Sequence, residues 1–220
     1  NGTDQMSGLN DEAVTLTDTT LAVALLNTLN GNTSGSVNAG TLTTLSGTAA
    51  DLNTAYGAAG ITGLGNEAAT VSDTTLAVAT LNTLDGNTIG TVNAATINTL
   101  TGSAAAANTA YASGGITNLA DEAVTLTDTT VAAADINTLD TNTSGLIDAG
   151  TVNTITGTVS AVTTAFNANN GAAIKDLGDN EAVTLSDTSI AVADINTLDG
   201  LTSGLINASS ITTVTGAITA

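Results

Sequence analysis

The stretch EAVTLTDTT, residues 12–20, decides the fold of this chain because the chain repeats it. Close copies begin at Glu67, Glu122 and Glu181. Other positions keep the same register, among them Leu29, Leu84, Leu139 and Leu198. Self-similarity at a fixed interval is the signature of repeat architectures, in which each unit buries its apolar face against the next.

The copies define four repeats of roughly 55 residues: 12–66, 67–121, 122–180 and 181–220. Each repeat contains two unequal halves, because TLT at 15–17 in the first half corresponds to TLS at 44–46 in the second. We therefore predict a single β-solenoid domain over residues 1–220, with about eight coils of ~27 residues.

The third repeat is longer than the others. Its additional residues fall within two segments, FNANNGAAI at 166–174 and LGDNE at 177–181, which we predict to be loops. A stacked architecture tolerates insertions that are confined to loops.

Two short strands are predicted in each coil. SVNA at 36–39 is one, and AVTLT at 13–17 is another. The second alternates apolar Val14 and Leu16 with polar threonines, which is typical of a half-buried strand.

A short helix is predicted to follow the second strand. Asp18 is a good N-cap, and Ala22, Leu26 and Leu29 would share a helical face. Gly31 can close that helix. Because threonine and valine are modest helix formers, the alternative is a third strand, which would make the chain a three-strand β-helix.

Stacked coils would place equivalent residues in rows at a strand spacing of ~4.8 Å. The central apolar row is predicted to be the core, and it comprises Leu16, Leu45, Val71, Leu100, Leu126, Ile155, Leu185 and Val214.

A second row is polar, with Thr163 as its one departure. It comprises Asn27, Asn53, Asn82, Asn108, Asn137 and Asn196. We expect these amides to hydrogen-bond the turn backbone of neighbouring coils.

A third row consists of aromatic residues: Tyr56, Tyr111 and Phe166. Such a row could bind sugar. Because Phe166 lacks the hydroxyl group, we favour apolar plugs over alternate coils.

Carboxylates recur in alternate coils at Asp18, Asp73, Asp128 and Asp187. A two-coil separation exceeds the physiological Debye length of ~8 Å, so the row is tolerable without a metal. Further acidic residues lie nearby in the sequence, and Ca²⁺ is the cofactor that such an oxygen-rich surface would hold. No EF-hand loop and no glycine-aspartate nonapeptide is present. The four aspartates are therefore candidate metal ligands, and the preferred expectation is no cofactor.

Threonine and serine pairs form the most regular surface pattern. They comprise Thr15, Thr17, Thr44, Ser46, Thr70, Ser72, Thr99, Thr101, Thr125, Thr127, Thr154, Thr156, Thr184, Ser186, Thr213 and Thr215. A flat threonine grid resembles the ice-binding face of some antifreeze solenoids. Threonine is also an ordinary choice for a solvent-facing strand, so ice binding ranks third among the hypotheses.

The composition limits the classes of partner and chemistry. The net charge is −19 and Lys175 is the one basic residue, which argues against nucleic acid and against anionic membranes. No apolar run reaches transmembrane length. The chain lacks histidine, cysteine and arginine, and its aspartates repeat evenly without converging on one cleft, so we expect no enzyme.

Two phrases carry a family resemblance: ITGLGNEAATVSDTTLAVATLNTLDGNT at 61–88 and SGTAADLNTAYGAAG at 46–60. They resemble tandem arrays in very large secreted surface and adhesin-like proteins of cyanobacteria and other aquatic bacteria. The resemblance implies an extracellular or cell-surface location and a structural or adhesive role. It supplies no catalytic residues.

The leading hypothesis is thus a structural extracellular protein whose solenoid stacks head to tail into a filament or forms part of a surface fibre. Consecutive copies could continue the stack almost in phase, since only about five residues of one period are missing between them. The alternatives are a Ca²⁺-dependent adhesin or surface-layer module and an ice-binding solenoid. No receptor is indicated.

Overall fold

The computed structural model describes residues 10–170, 173–178 and 180–216, in which short parallel strands alternate with helices. The helices are α1 (Val23–Asn32), α2 (Ala49–Gly57), α3 (Val78–Asn87), α4 (Ala104–Ala112), α5 (Ala133–Asn142), α6 (Val159–Asn170) and α7 (Val192–Asp199). The strands are β1 (Val14–Thr15), β2 (Thr20–Ala22), β3 (Val37–Asn38), β4 (Thr44–Gly47), β5 (Ile61–Thr62), β6 (Ala68–Val71), β7 (Thr75–Ala77), β8 (Val92–Asn93), β9 (Thr99–Gly102), β10 (Ile116–Thr117), β11 (Ala123–Leu126), β12 (Thr130–Ala132), β13 (Ile147–Asp148), β14 (Thr154–Gly157), β15 (Ile174–Lys175), β16 (Ala182–Leu185), β17 (Ser189–Ala191), β18 (Ile206–Asn207) and β19 (Thr213–Thr215).

The chain forms two compact units. The first comprises the residues up to Ile97 together with Ser113–Leu119. The second comprises Asn98–Ala112 and the residues from Ala120 onward.

The first unit contains two parallel sheets, in the orders β10-β8-β6-β4-β2 and β1-β3-β5. Leu45 in β4 pairs with Leu21 on one side and with Ala69 on the other. Helices α1, α2 and α3 pack against one another in chain order beside these sheets.

The second unit repeats this pattern. Its parallel strands pair in the orders β9-β11-β13-β15, β12-β14-β16-β18 and β17-β19. Ile155 in β14 pairs with Val131 and with Val183. Helices α4 to α7 pack successively in the same way.

Strands of one sheet come from different positions of the repeat. In the first unit the sheet passes from a strand that precedes α1, through β4 and β6, to two strands that each follow a helix. The pairing step, as from Leu21 to Leu45 to Ala69, is shorter than the mean half-repeat of roughly 27 residues. Successive strands of a sheet therefore come from different positions of the repeat. The sheet does not join equivalent positions of successive half-repeats.

This shift corrects the predicted register of the core row. Leu45 and Val71 were expected to stack, but Leu45 lies opposite Ala69, and Val71 lies opposite Gly47. The observed partner of Leu45 is thus two residues away from the expected one. Since side chains alternate between the two faces of a strand, a displacement of two residues keeps the same side chains on the buried face. Gly47 has a positive φ of 153°, and a Cβ atom on it would overlap Cγ1 of Val23 in α1, so this position needs glycine.

Burial of the row is confirmed at seven of its eight positions. Leu16, Leu45, Val71, Leu100, Leu126, Ile155 and Leu185 are all buried. Val214 is 60% exposed, unlike its equivalent Leu45 at 0%.

The predicted beginning of the first helix is wrong. The helix begins at Val23, its N-cap is Ala22, and no side chain caps it. Residues 20–22 form β2, and Leu21 pairs with Leu45, so their backbone is committed to a sheet before the helix starts. The helix also continues through Gly31 to Asn32. The longer halves of the repeats therefore hold more strands than the two we expected.

The additional residues of the third repeat lie only partly in loops. Part of FNANNGAAI extends α6, which has 12 residues where α2 has 9. Residues 171, 172 and 179 of the two predicted loops lie outside the described part of the chain. Phe166 lies within α6 and is part of the core, with 1% exposure.

Candidate functional site

The recurrent aspartates cap helices of the preceding half-repeat. The backbone N–H of Ala49, the first residue of α2, donates to Asp73 Oδ2 at 2.8 Å across 24 residues of sequence. Ala104 donates to Asp128 Oδ2 at 2.8 Å in the same way. A carboxylate at this position satisfies a free N–H and interacts favourably with the helix dipole.

Asp18 is the fourth member of this row and has no helix to cap. It is exposed, and no other described residue hydrogen-bonds to its carboxylate. Three aspartates of the row therefore accept the first N–H of a helix, and Asp18 accepts none among the described residues.

The asparagine row joins successive helices. Each amide donates a 2.9–3.0 Å bond to a carbonyl in the first turn of the next helix: Asn27 to Asp51, Asn53 to Thr80, Asn108 to Asp135 and Asn137 to Ala161. The expected bonding to a neighbouring half-repeat is confirmed, but its location is wrong, since the acceptors belong to helices and not to turns. Asn82 also has an interaction partner.

Thr163 stands where the other half-repeats have the asparagine of this row, and a groove lies beside it between α6 and α7. The groove is lined by Val159, Ser160, Thr163, Thr164, Asp194 and Thr197. A threonine is too short to make the amide bond that the other helix pairs have.

Buried glutamates were not anticipated from the sequence. Glu67, Glu122 and Glu181 are 0%, 2% and 5% exposed. Glu67 Oε2 accepts the N–H of Gly65 at 2.8 Å, while its Oε1 is buried without a partner. Glu181 Oε2 accepts the N–H of Gly178 at 2.7 Å. Each carboxylate fixes the turn that leads into its strand, because it supplies acceptors for N–H groups the sheet leaves unpaired.

Tyrosine hydroxyls lie beside two of these glutamates. Tyr111 Oη donates to Glu122 Oε2 at 3.2 Å, and burial together with this carboxylate raises the pKa of Tyr111 to about 12. Burial likewise raises the pKa of Tyr56, near Glu67. Within the aromatic row, Tyr111 thus bonds a glutamate, Tyr56 Oη is buried without a hydrogen-bond partner, and Phe166 is buried.

A constant spacing could have revealed the glutamate contacts. Thr33, Thr88, Thr143 and Thr202 each donate to the backbone carbonyl of the glutamate 21 residues earlier, at 2.8–3.0 Å. This spacing persists in the longer third repeat.

The threonine pairs do not line up as two uninterrupted columns within either unit. In the first unit Thr44 lies between Thr20 and Ala68. In the second, Thr125 lies between Thr101 and Asp148, and Thr156 lies between Ala132 and Thr184. Exposure also varies. Thr15, Thr17, Thr127, Thr213 and Thr215 are exposed, whereas Thr44, Thr99, Thr101, Thr125, Thr154 and Thr156 are half-buried.

No group of three or more acidic side chains lies close enough together to hold a metal ion in the described part of the chain. Asp73, Asp128 and Asp187 each accept a backbone N–H at 2.8 Å. The structure thus gives these three candidate ligands a partner within the protein.

Lys175 forms the ion pairs found among the described residues. Its Nζ lies 2.8 Å from Asp148 and 3.2 Å from Asp176. The hydrogen bond from Lys175 lowers the pKa of Asp148, while both aspartates raise the pKa of Lys175. The pair joins neighbouring strands, since Asp148 and Lys175 are register partners.

Most of the polar groups discussed above connect one half-repeat to the next, so the candidate site is the surface between successive half-repeats. Within the described ranges, no helix is both long and apolar enough to cross a membrane. No protein-family model, curated protein or solved structure matches the chain.

Proposed function

We propose that this chain is a β-solenoid section of an extracellular structural fibre, in which each repeat is covered by a further repeat of the same kind. The next repeat can belong to the same polypeptide or to another copy. The observation that carries the proposal is the use of recurrent polar side chains as joints between half-repeats.

Helix caps are the first such joint. The N–H of Val159 donates to Asp187 at 2.8 Å, although 28 residues separate them. A short helix is marginal in water unless its free N–H groups find acceptors. Thr48, Ser103 and Thr158 each cap their own helix by accepting the N–H three residues later, and the following half-repeat supplies the acceptor for the first N–H. Stacking therefore completes the capping of each short-half helix.

The apolar surface supports the same function. Leu45 and Ile155, each at 0% exposure, lie in strands with a partner strand on both sides, whereas Val214 in β19 has one partner strand among the described residues and is 60% exposed. No half-repeat can bury its apolar side alone, so stability comes from neighbours. A structural role needs no further chemistry.

The extracellular location rests on composition and resemblance. The chain is acidic, has one basic residue and has no cysteine. The repeat phrases resemble secreted surface arrays. A highly negative net charge keeps an exposed fibre soluble and limits adhesion to acidic polymers.

Two measurements test the proposal. Oriented fibres of the purified protein should diffract X-rays with a reflection near ~4.8 Å along the fibre axis, because the strands would stack along that axis. Protease treatment of intact producing cells should release peptides of this chain, with a cytoplasmic protein as the control. A chain protected in intact cells, or fibres without an axial strand reflection, would contradict the proposal.

A further inference from the structure

Two buried oxygen atoms of the first unit have no hydrogen-bond partner. Glu67 is 0% exposed and its Oε1 is buried without a partner, and Tyr56 Oη is buried without one as well. Most buried polar atoms of folded proteins are hydrogen-bonded, so each exception calls for an explanation. These two atoms are therefore candidates for contact with a ligand.

The two atoms belong to one cluster. Burial raises the pKa of Tyr56, the Thr88 hydroxyl opposes that shift, and the Glu67 carboxylate adds to it, so the three side chains are neighbours. Thr88 Oγ1 donates to the carbonyl of Glu67 at 3.0 Å and accepts the N–H of Gly90 at 3.0 Å. A hydroxyl oxygen has two lone pairs, so one of them stays available on Thr88. Oxygen atoms of three side chains thus lie together in the interior of the first unit.

The negative charge of Glu67 has no positive partner in the protein. The N–H groups of Gly65 and Asn66 donate at 2.8 and 3.2 Å, but both bonds go to Oε2 and leave Oε1 without a donor. Lys175 is the one basic residue of the chain, and it is paired with two aspartates elsewhere. An ionised carboxylate taken out of water costs several kcal/mol unless an opposite charge or hydrogen bonds compensate it. A bound cation would supply that compensation.

We propose that Glu67 Oε1 and Tyr56 Oη bind a monovalent metal cation of the sodium type, with Thr88 Oγ1 as a third oxygen ligand. Hard cations take oxygen ligands, and one carboxylate balances one positive charge. Ca²⁺ takes about six to eight oxygens. No group of three or more acidic side chains close enough for such an ion is found in the described ranges. The inference goes beyond the proposed function, because it concerns the interior of the first unit wherever the protein is located.

The equivalent cluster around Glu122 differs in this respect. Tyr111 Oη donates to Glu122 Oε2 at 3.2 Å, and neither of these described residues has a buried oxygen without a partner. The turn before the glutamate differs too, because Gly65 has a φ of 139° and Ala120, at the same repeat position, has no positive φ. The direct bond between tyrosine and glutamate satisfies both side chains, so the inference is confined to the cluster around Glu67.

The choice of cation tests the site. Unfolding midpoints of the whole chain are measured in sodium chloride and in tetramethylammonium chloride at equal ionic strength. Any salt screens the net charge of −19, and equal ionic strength removes that effect from the comparison. Tetramethylammonium is too bulky for a buried cluster of side-chain oxygens. We expect a higher midpoint in sodium, and the difference should grow with concentration as linkage to one bound ion requires.

Substitutions locate the ion. Glu67→Gln should remove the difference between the two salts, because the amide carries no charge. Glu12→Gln is the matched control and should retain it, since Glu12 has the same repeat position and is exposed. Tyr56→Phe deletes one ligand and keeps the ring, so it should weaken the sodium affinity about five- to ten-fold. This variant keeps the test decisive if Glu67→Gln does not fold.

Sodium NMR detects the ion directly, because the signal relaxes faster when the ion is bound to a protein. Glu67→Gln should lower this relaxation below that of the wild type and of Glu12→Gln. Equal unfolding midpoints in the two salts at every concentration would overturn the inference and assign the two oxygens to a buried water. A sodium effect of wild-type size in Glu67→Gln or in Tyr56→Phe would also overturn it, since the ion would then bind elsewhere.

Discussion

The backbone N–H of Val159 donates a 2.8 Å hydrogen bond to Asp187, a residue from the following half-repeat. The same bond joins Ala104 to Asp128 and Ala49 to Asp73. The first N–H of each of these helices thus finds its acceptor 24 or 28 positions later in the chain. The third N–H is capped locally, by Thr48, Ser103 or Thr158. Helix stability and repeat stacking are therefore coupled, because the following half-repeat supplies one of the two acceptors.

Removal of one cap should destabilise the fold. We expect Asp128→Ala to lower the free energy of unfolding by about 1 kcal/mol, since the N–H of Ala104 loses its acceptor. Asp18→Ala is the control at the same repeat position, and in dilute solution it should change the stability by less than about 0.5 kcal/mol. Chemical denaturation monitored by circular dichroism provides both values. Equal losses in the two variants would contradict the capping role of Asp128.

Two glycines of one repeat should respond in opposite ways to alanine. A Cβ atom on Gly90 would overlap the backbone carbonyl of Glu67, so Gly90→Ala should cost about 1–3 kcal/mol. Gly86 lies in α3 with nothing within 4 Å of such an atom. Gly86→Ala should therefore stabilise the protein by about 0.5–1 kcal/mol through helix propensity. The comparison uses thermal or denaturant midpoints, and a tolerated Gly90→Ala would show that the two turns can separate.

Restoring the interrupted asparagine row should stabilise the second unit. Thr163→Asn places an amide where Asn108 and Asn137 donate to the next helix, and it should add about 0.5–1.5 kcal/mol. Thr138→Asn is the control, because the exposed Thr138 side chain lies outside this groove and donates to Ala134 of its own helix, α5. Differential denaturation of the two variants measures the gain. No gain from Thr163→Asn would mean that the groove between α6 and α7 does not hold the amide.

Alkaline unfolding should depend on the two tyrosines. The pKa of Tyr111 in the folded protein is about 12, against an ordinary value of 10.0. Because folding raises this pKa, the associated stability is complete below about pH 10 and is lost as the pH rises through about 12. Tyr111→Phe should therefore reduce the alkaline fall in stability, while at neutral pH it costs about 1 kcal/mol through the lost bond to Glu122.

Denaturant midpoints at neutral pH and at about pH 12 measure this effect. Tyr56→Phe serves as the parallel variant, since burial also raises the pKa of Tyr56. A spectrophotometric titration of the phenolate groups reports the pKa values directly. An unchanged alkaline slope in Tyr111→Phe would contradict the assignment.

Much of the arrangement can be derived from the sequence. Four copies of one phrase predict repeats, and alternation at Val14 and Leu16 predicts strands with Leu16 buried. The asparagine row was predicted to link neighbouring half-repeats, and it does. These features depend on local periodicity and on the fact that equivalent residues have equivalent surroundings.

The tertiary structure decided which residues face one another. Leu45 pairs with Ala69 on one side and, on the other, with Leu21 in the strand before α1. An alignment of the half-repeats does not show which of these strands enter the same sheet. Asp73 accepts the first N–H of α2 rather than capping a helix of its own half-repeat. Period and burial are properties of a single segment, so the sequence by itself determines them. Register and capping depend on free energies shared between segments, and only the folded chain selects among the pairings that the repeats allow.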